Sequence, residues 1–523
     1  WQTLGLVASK QYRQEEAITA FENALLHRPD LVLSHNYLGI ALNQIGRYEE
    51  AMHHYACTLK LQPDNPHAQF NRALGWLAEE RFHDGAVDYE WRFRTGQTQR
   101  PPIPRPQWDG SPLNGRGLLI HTEQGMGDVL QFIRLLPLIK QQGARIVFAC
   151  QKPLQNLLSR CPEIDEWFPI DEPGQIHFDL HIPLLSLPGL LGITGDNCPK
   201  NVPYVFPESE RIERWKSKIE NLDGFKVGLG WQGSTTFRGD QLRSIPLKYY
   251  QPLAKAPNAT FISLQKTDGL DQLESLKDQF PVHILQGLDS EGGAFMDTSA
   301  VMQHLDLIIT SDTALAHLAG ALGRPVWVAL STSADWRWFR NRSDSPWYPT
   351  MRLFRQKTLG DWEGVFAEMS AELEKQLASD TPQLFAPMET ITSSKSTVKV
   401  EIAPGELIDT ITILEIKREQ ITDDLKKKNV CIELEILNKS RREKLAQSPE
   451  LEQLTAKLKE INQALWNIED DIRDCERNQD FGEKFIELAR AVYKTNDQRA
   501  EVKREINELL GSRIVEEKSY ADY

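Results

Sequence analysis

Three residues in the second half of the chain, Asp312, Thr313 and His317, have the types and the spacing that binding chemistry requires. They follow the apolar run from Leu305 to Ile309, which is typical of a buried parallel strand, and they stand where a helix should begin. A helix start leaves backbone N–H groups free and presents the positive end of the helix dipole, which suits a diphosphate. His317 lies four residues after Thr313 and so on the same helix face. An alternative interpretation of the same pattern is an ordinary capped helix whose histidine is buried in the core.

A second candidate is the turn after the apolar stretch 118–121. It contains Gly125 and Gly127, which let the backbone approach a ligand closely, and it presents Asp128 near the start of a helix. Asp128 has two interpretations: a helix cap, or a general base that removes a proton.

A similar turn opens a further α/β stretch, where the predicted strand 226–231 ends in Gly230 and Trp231. The indole of Trp231 has the right chemistry to flank a base or a sugar. Downstream, Arg243 is either a bidentate partner for a phosphate or an ordinary surface arginine. Gln265 ends the next predicted strand.

An aromatic cluster follows the last predicted strand of this stretch. It comprises Asp-Trp-Arg-Trp-Phe at 335–339 and Ser-Pro-Trp-Tyr at 345–348. Packing between domains and contact with a ligand both remain open as explanations.

The elements that must position these residues are short apolar runs that alternate with helical stretches. We predict strands at 118–121, 145–149 and 180–185 in a first unit, and at 226–231, 260–265, 282–285, 305–310 and 326–330 in a second. This order predicts two parallel-sheet domains, over 105–210 and 211–376. Ligands in such folds lie at the carboxyl ends of the strands.

Residues 1–97 carry an internal repeat. Leu4-Gly5 returns as Leu38-Gly39, and Phe21 returns as Tyr55 and then as Tyr89. A small residue that faces an aromatic lets two antiparallel helices pack closely, and the pattern resembles the tetratricopeptide repeat, an α-solenoid. Because about three repeats are needed for stability, we expect further repeats upstream of Trp1.

The last part of the chain, from residue 377, differs in composition from the α/β stretches before it. Residues 377–399 are rich in Ser, Thr, Pro and Ala and are predicted to be a linker. Residues 400–523 are charged, and their apolar positions recur at helical spacing, which predicts a helical hairpin or bundle. This tail resembles a bacterial helical domain of unknown function, and its expected task is docking or homo-oligomerisation.

Bulk properties narrow the class of protein. A length of 523 residues predicts three or four domains, and a net charge of −14 argues against a nucleic-acid binder. The six cysteines are scattered without a C-x-x-C pair, which fits reduced thiols in a cytoplasm. We therefore expect a cytoplasmic protein, free or peripheral at the inner membrane.

Together these motifs resemble glycosyltransferase family 9, which includes the lipopolysaccharide heptosyltransferases. The resemblance spans 105–375 and rests on four segments: the Gly-x-Gly-Asp turn at 125–128, the strand and loop at 227–234, Arg-Ser-Ile-Pro at 243–246, and Asp312-Thr313 with His317.

The resemblance implies a GT-B architecture, with two Rossmann-like domains across a cleft, and an inverting reaction that needs no metal. It implies that Asp128 is the base, and that Arg243 stabilises charge on the leaving nucleoside diphosphate. The remaining predicted donor-binding residues are Gly125, Gly127, Gly230, Trp231, Gln265, Asp312, Thr313 and His317.

The repeats and the tail depart from the lipopolysaccharide heptosyltransferases. The donor is therefore expected to be a nucleotide sugar, with an ADP-linked sugar as one option, and the acceptor a glycan, a lipid-linked glycan or a protein. A protein partner is expected on the groove of the repeats. The rival hypothesis is a non-enzymatic scaffold whose transferase-like core only binds nucleotide or partner.

Overall fold

The computed structural model describes residues 1–168, 176–237, 239–379, 384, 402–421, 424–446, 448–478 and 480–514. It divides into two compact units, Trp1–Thr392 and Ser393–Tyr523. Much of the predicted linker at 377–399 lies outside the described residues.

The first unit begins with paired helices. These are α1 (Gln2–Lys10), α2 (Gln14–His27), α3 (Val32–Gln44), α4 (Tyr48–Leu61), α5 (Pro66–Ala78) and α6 (Phe82–Tyr89), followed by a 3-10 turn at Glu90–Arg94. A Cβ added to Gly5 would lie 2.6 Å from the Phe21 ring, and one on Gly39 would lie 2.6 Å from the Tyr55 ring. The repeated small and aromatic residues are thus the contact points at which α1 meets α2 and α3 meets α4.

A four-stranded parallel sheet follows. Its strands are β1 (Gly117–His121), β2 (Arg145–Ala149), β3 (Glu166–Trp167) and β4 (Leu180–Pro183), in the order β3-β2-β1-β4. Its helices are α7 (Met126–Phe132), α8 (Leu136–Lys140), α9 (Lys152–Leu158) and α10 (Leu187–Leu190). β2 and β3 lie on one side of β1, and β4 pairs with β1 on its other side.

The second sheet has six parallel strands in the order β10-β9-β8-β5-β6-β7. They are β5 (Phe225–Gly230), β6 (Ala259–Ser263), β7 (Val282–Ile284), β8 (Leu307–Ser311), β9 (Val326–Leu330) and β10 (Met351–Arg355). The associated helices are α11 (Ser209–Ile219), α12 (Asp240–Arg243), α13 (Asp271–Leu276), α14 (Met296–Met302), α15 (Ala314–Ala321) and α16 (Trp362–Leu377).

One continuous apolar core joins the parts of the first unit. It runs from Leu77 and Tyr89 of the helical region, through Ile120 of the first sheet, to Ile308 and Trp347 of the second α/β part. The opposite face of the second sheet packs a separate cluster under α16. The helical region is therefore fixed to the α/β region by shared burial.

The second unit contains helices α17 (Pro404–Gln420), α18 (Asp424–Lys444), α19 (Pro449–Arg477) and α20 (Glu483–Leu509). Apolar residues on α17, α19 and α20 pack together, among them Ile408, Leu458 and Ile506. The buried carboxylate of Asp409 accepts hydrogen bonds from Arg499 and from Asn462 at 2.8 Å. A helical unit is what the spacing of apolar residues predicts.

The predicted fold class is confirmed: helical regions flank an α/β region with two parallel sheets. Two strands were not predicted. β3 has only two residues, and β10 carries Arg352 and Arg355 within five residues, so neither forms an apolar run. Among the residues that the structure describes, no helix combines the length and apolar character that crossing a membrane requires.

Candidate active site

Each parallel sheet has one point at which the strand order reverses, and ligand crevices form there. In the second sheet this point lies between the ends of β5 and β8, at Gly230 and Ser311. In the first sheet it lies between β1 and β4, at His121 and Pro183. Two of the candidate residues follow strands at these places: Asp312 follows β8, and Asp128 follows β1.

The crevice of the second sheet is formed by Asp312, Thr313 and the start of α15. Thr313 has an extended backbone, with φ −138° and ψ 175°, and marks the helix start. Burial raises the pKa of Asp312 above its ordinary value, and the nearby carboxylate of Asp335 raises it further. An N-terminal helix end and a half-buried carboxylate thus face the same space.

Arg243 reaches this crevice from α12. Its Nη1 donates to the backbone carbonyl of Asp312 at 3.3 Å, and its Nε donates to Asp240 at 3.1 Å. The guanidinium also stacks 4.1 Å from the ring centroid of Phe237. These three contacts hold the Arg243 guanidinium beside the crevice in which the sequence predicts a phosphate.

Trp231 does not line the crevice, although the sequence analysis predicts that its indole flanks a base or a sugar. Its side chain is fully buried, and its indole N–H donates to the carbonyl of Gly269 at 3.1 Å, so the ring packs in the core instead of lining the crevice. Gln265 accepts the backbone N–H groups of Trp231 and Gln232, both at 3.1 Å, and so fixes the shape of this loop. A Cβ on Gly230 would lie 2.5 Å from Leu315, which shows that this glycine permits close packing against α15.

The two α/β parts meet where α7 crosses the start of α15. A Cβ on Gly127 would lie 2.8 Å from Cδ2 of His317 and 3.4 Å from Cα of Ala314. Gly127 is therefore the point of closest approach between the glycine turn and the predicted donor helix.

His317 is buried at this junction. Its Nδ1 shares a hydrogen bond of 2.9 Å with the hydroxyl of Tyr348, and its ring stacks on Trp338 with centroids 4.9 Å apart. Burial lowers the pKa of His317 well below its ordinary value, and the neighbouring arginines lower it further. His317 thus packs and hydrogen-bonds at the junction of the two α/β parts.

Asp128 caps α7 and also faces the cleft. One carboxylate oxygen accepts the N–H of Gly125 at 2.8 Å, and the other forms an ion pair with Arg337 at 2.6 Å. Burial raises the pKa of Asp128 above its ordinary value, and Arg337 opposes this rise. Both interpretations of Asp128 therefore remain compatible with its position, because the cap leaves the second oxygen on the cleft side.

Arg337 connects the two sides of the cleft. Its guanidinium pairs with Asp128 and, at 2.7 Å, with Asp335, and it lies over the Trp336 ring with its carbon 4.7 Å from the ring centroid. The side chain is only 4% exposed, so both ion pairs are shielded from water. The sequence analysis did not single out Arg337 as a site residue. Its position in a tryptophan-rich segment just after the end of a strand is the feature that could have indicated it.

The crevice of the first sheet is occupied by Arg92 from the helical region. This fully buried side chain contacts Glu123 at 2.9 Å and Ser186 at 2.7 Å, which follow β1 and β4 respectively. Beside it, Gln124 donates to the hydroxyl of Tyr89 at 3.3 Å. Burial raises the pKa of Glu123 to about 7, while Arg92 opposes the rise. No sequence pattern pointed to this contact between distant segments.

The described residues contain no cluster of three or more His, Cys, Asp or Glu side chains arranged to hold a metal ion. Arg243 and the positive end of the α15 dipole lie beside the second crevice.

Part of this α/β region matches a known protein family. Residues 294–355, which include β8, α15, β9 and the Arg337 segment, match the family described as glycosyltransferase family 9 (heptosyltransferase). This segment of the chain is similar to glycosyltransferase family 9. The match confirms the resemblance predicted from the sequence and supports glycosyltransferase activity. Residues 398–522 match DUF6165, a family of unknown function.

Individual proteins similar to this chain cover different shares of it. Protein FlbA of Caulobacter vibrioides is 28% identical over 407 residues, which are 72% of this chain and 67% of FlbA. The family 9 glycosyltransferase of Veillonella parvula aligns with 52% of this chain and 99% of its own, at 13% identity and a TM-score of 0.40. The ADP-heptose lipopolysaccharide heptosyltransferase II of E. coli aligns with 50% of this chain and 100% of its own, at 15% identity and a TM-score of 0.37.

Proposed function

We propose that this glycosyltransferase is an inverting, metal-independent enzyme that moves a sugar from a nucleoside diphosphate to an acceptor hydroxyl. The observation that carries the proposal is the junction of α7 with α15. There Gly127 contacts His317, so that Asp128 and the start of α15 face one cleft. A base and a diphosphate-binding helix start are the two parts that such a reaction needs on opposite sides of the sugar.

The proposed step is a single displacement. The acceptor oxygen attacks the anomeric carbon while the bond from that carbon to the diphosphate oxygen breaks, and its electron pair leaves with the nucleoside diphosphate. The acceptor proton passes to the Asp128 oxygen that faces the cleft and pairs with Arg337. Negative charge that develops on the leaving diphosphate meets the free N–H groups of α15 and the guanidinium of Arg243, two preorganised positive groups.

In this proposal each domain has a separate role. The region 1–97 recruits the acceptor or a partner protein, 105–210 supplies Asp128, and 211–376 binds the donor, with an ADP-linked sugar as the first candidate. The helices of 400–523 mediate homo-oligomerisation or docking. The acceptor is a glycan, a lipid-linked glycan or a protein in the cytoplasm.

The experiment that tests the donor site is thermal stabilisation of the whole chain by ADP, GDP, UDP, CMP and their sugars. A ligand that binds only the folded state at 100 times its Kd adds about 2.7 kcal/mol to the free energy of unfolding. We expect one nucleotide to stabilise the wild type and to lose most of that effect with Arg243→Met. No stabilisation by any nucleotide contradicts the proposal.

A non-enzymatic scaffold is the second candidate, because the Arg337 ion pair already engages Asp128 and Arg92 fills the first crevice. Slow hydrolysis of the donor without acceptor separates the two. An enzyme releases the free sugar and an Asp128→Asn variant does not, whereas a scaffold releases none in either form.

A further inference from the structure

The loop between β5 and α12 carries a second aromatic residue besides Trp231. This residue, Phe237, is 53% exposed, whereas Trp231 at the start of the same loop is fully buried. The loop follows the carboxyl end of β5, which is one of the two strands that border the second crevice. Phe237 is therefore the aromatic side chain of this loop that is left for a ligand.

Hydrogen bonds fix the backbone on both sides of Phe237. Its N–H donates to the carbonyl of Ser234 at 3.0 Å, and its own carbonyl accepts the N–H of Asp240 at 3.1 Å. Earlier in the loop, the N–H of Gly233 donates to Oγ of Ser244 at 2.9 Å. The loop thus presents the Phe237 ring in a defined position, and such preorganisation reduces the entropy that binding a ligand costs.

One face of the Phe237 ring is covered by Arg243, whose guanidinium carbon lies 4.1 Å from the ring centroid. Two nitrogens of this guanidinium are already bound, Nε to Asp240 at 3.1 Å and Nη1 to the carbonyl of Asp312 at 3.3 Å. Among the residues that the structure describes, none accepts a hydrogen bond from the third nitrogen, Nη2. A phosphate that pairs with Arg243 therefore meets Nη2, beside the ring.

The opposite face of the Phe237 ring is the surface that can receive a flat group. Aromatic rings pair in offset stacks, and a guanidinium on one face leaves the other face available for such a stack. Every nucleobase has a π-face, so stacking on an aromatic side chain adds affinity without choosing among the bases. A base on this face would thus lie against a ring that already adjoins the Arg243 guanidinium.

The order of groups around Arg243 fits the order of groups in a nucleotide sugar. In the proposed function the sugar faces Asp128, and the diphosphate meets the start of α15 and Arg243. The base is joined to the diphosphate at the end away from the sugar. Phe237 supplies an exposed aromatic ring next to the guanidinium that meets the diphosphate.

We propose that Phe237 is the stacking platform for the nucleobase of the donor. The inference rests on the proposed function, in which the donor is a nucleotide sugar, and it assigns to Phe237 the role that the sequence predicts for Trp231. The base stacks on one face of the ring while Arg243 lies against the other. The ring adds affinity for the nucleotide and takes no part in the bond changes at the anomeric carbon.

Calorimetric titration of the whole chain with ADP, GDP, UDP and CMP tests the inference. For the nucleotide that the wild type binds, we expect Phe237→Ala to raise Kd by about 5- to 100-fold, the factor that one base–aromatic stack supplies. Phe237→Tyr keeps a flat ring and should bind like the wild type. Phe237→Leu keeps an apolar group over Arg243 without a ring and should bind like Phe237→Ala. Phe206→Ala, at another exposed phenylalanine, is the matched control and should leave Kd unchanged.

Inorganic diphosphate separates stacking from a role in holding Arg243. It has no base, so Phe237→Ala should leave its Kd unchanged, and equal losses for the nucleotide and for inorganic diphosphate would overturn the inference. An unchanged nucleotide Kd in Phe237→Ala also overturns it, as does a loss confined to nucleotide sugars, which would place the ring against the sugar. These three results leave the proposed function standing, whereas failure of the wild type to bind any nucleotide overturns both. Thermal unfolding without ligand confirms that each variant is folded.

Discussion

In the proposed mechanism the Asp128 carboxylate serves two purposes, because its two oxygens have different neighbours. The oxygen that caps α7 is held by the N–H of Gly125, and the other oxygen points to the cleft and to Arg337. A base benefits from a pKa nearer to neutral, and burial moves the pKa of Asp128 in that direction. The cap fixes its position while the surroundings adjust its basicity.

Replacing Asp128 with Asn is expected to lower kcat for transfer by about 10²–10⁴-fold, because the amide still occupies the cap position but cannot accept a proton. Nucleotide binding should change little, since Asp128 lies across the cleft from the start of α15. Steady-state transfer assays and nucleotide-dependent thermal stabilisation measure the two effects. Asp109→Asn, at an exposed carboxylate, is the control, and normal turnover by Asp128→Asn would remove it from the mechanism.

Arg337→Met is expected to move the acid limb of the kcat profile to higher pH. Protonated Asp128 is inactive, so activity falls as the pH drops through its pKa. Arg337 holds that pKa down against burial, and its removal raises the pKa further. A pH profile of kcat from pH 4 to 8 measures the shift. An unmoved limb would show that another group titrates.

At the scale of elements, the junction of α7 and α15 depends on the absence of a side chain at one position. Gly127 contacts His317 and Ala314, whereas a Cβ on Gly125 would meet only the Asp128 carboxylate, at 3.4 Å. The two glycines of one motif therefore have different reasons to be glycine. Gly127 permits contact between helices, and Gly125 begins the helix.

Gly127→Ala is expected to lower kcat/KM by about 10²-fold, because moving the reacting groups by an ångström has that effect on rate. It should also lower the free energy of unfolding by about 1–3 kcal/mol through overpacking. Gly125→Ala is the matched control and should cost only a few-fold in activity. Transfer assays and thermal unfolding of both variants check this, and equal effects in the two would contradict the assigned contact.

At the scale of the whole molecule, the helical region is part of the glycosyltransferase core and not an appendage. Arg92 enters the crevice of the first sheet, and Tyr48 bonds to the segment after β9. The same apolar core continues through both regions. The helical region is thus fixed to both parts of the α/β region.

Arg92→Met is expected to destabilise the first unit by about 3–5 kcal/mol, because it leaves Glu123 buried without its ion-pair partner. Arg13→Met, which removes an exposed pair with Glu16, should cost no more than about 1 kcal/mol. Thermal unfolding at pH 7.5 compares the two. The effect of Arg92→Met should shrink near pH 5, where Glu123, with a pKa raised to about 7, is protonated and neutral. Equal costs for the two variants would show that the Arg92 pair is not a structural link.

The sequence alone determined the local elements and the family. Apolar runs predict β2 and β9 at their observed bounds, because a strand buried on both faces must be apolar along its length. The spacing of Asp312, Thr313 and His317 places a helix start after β8 because capping depends only on neighbouring residues. The repeat of Gly5 and Gly39 identifies helix contacts for the same local reason.

Tertiary structure alone decided which distant residues share the cleft. Arg337 meets Asp128 across more than 200 positions of sequence, and Arg92 meets Ser186 across 94. Trp231 turned out to pack in the core although its neighbours line the crevice. Ion pairs and burial of this kind depend on how the sheets and helices pack together. The spacing of residues along the chain predicts local contacts, but it does not indicate which residue from a distant segment becomes the partner.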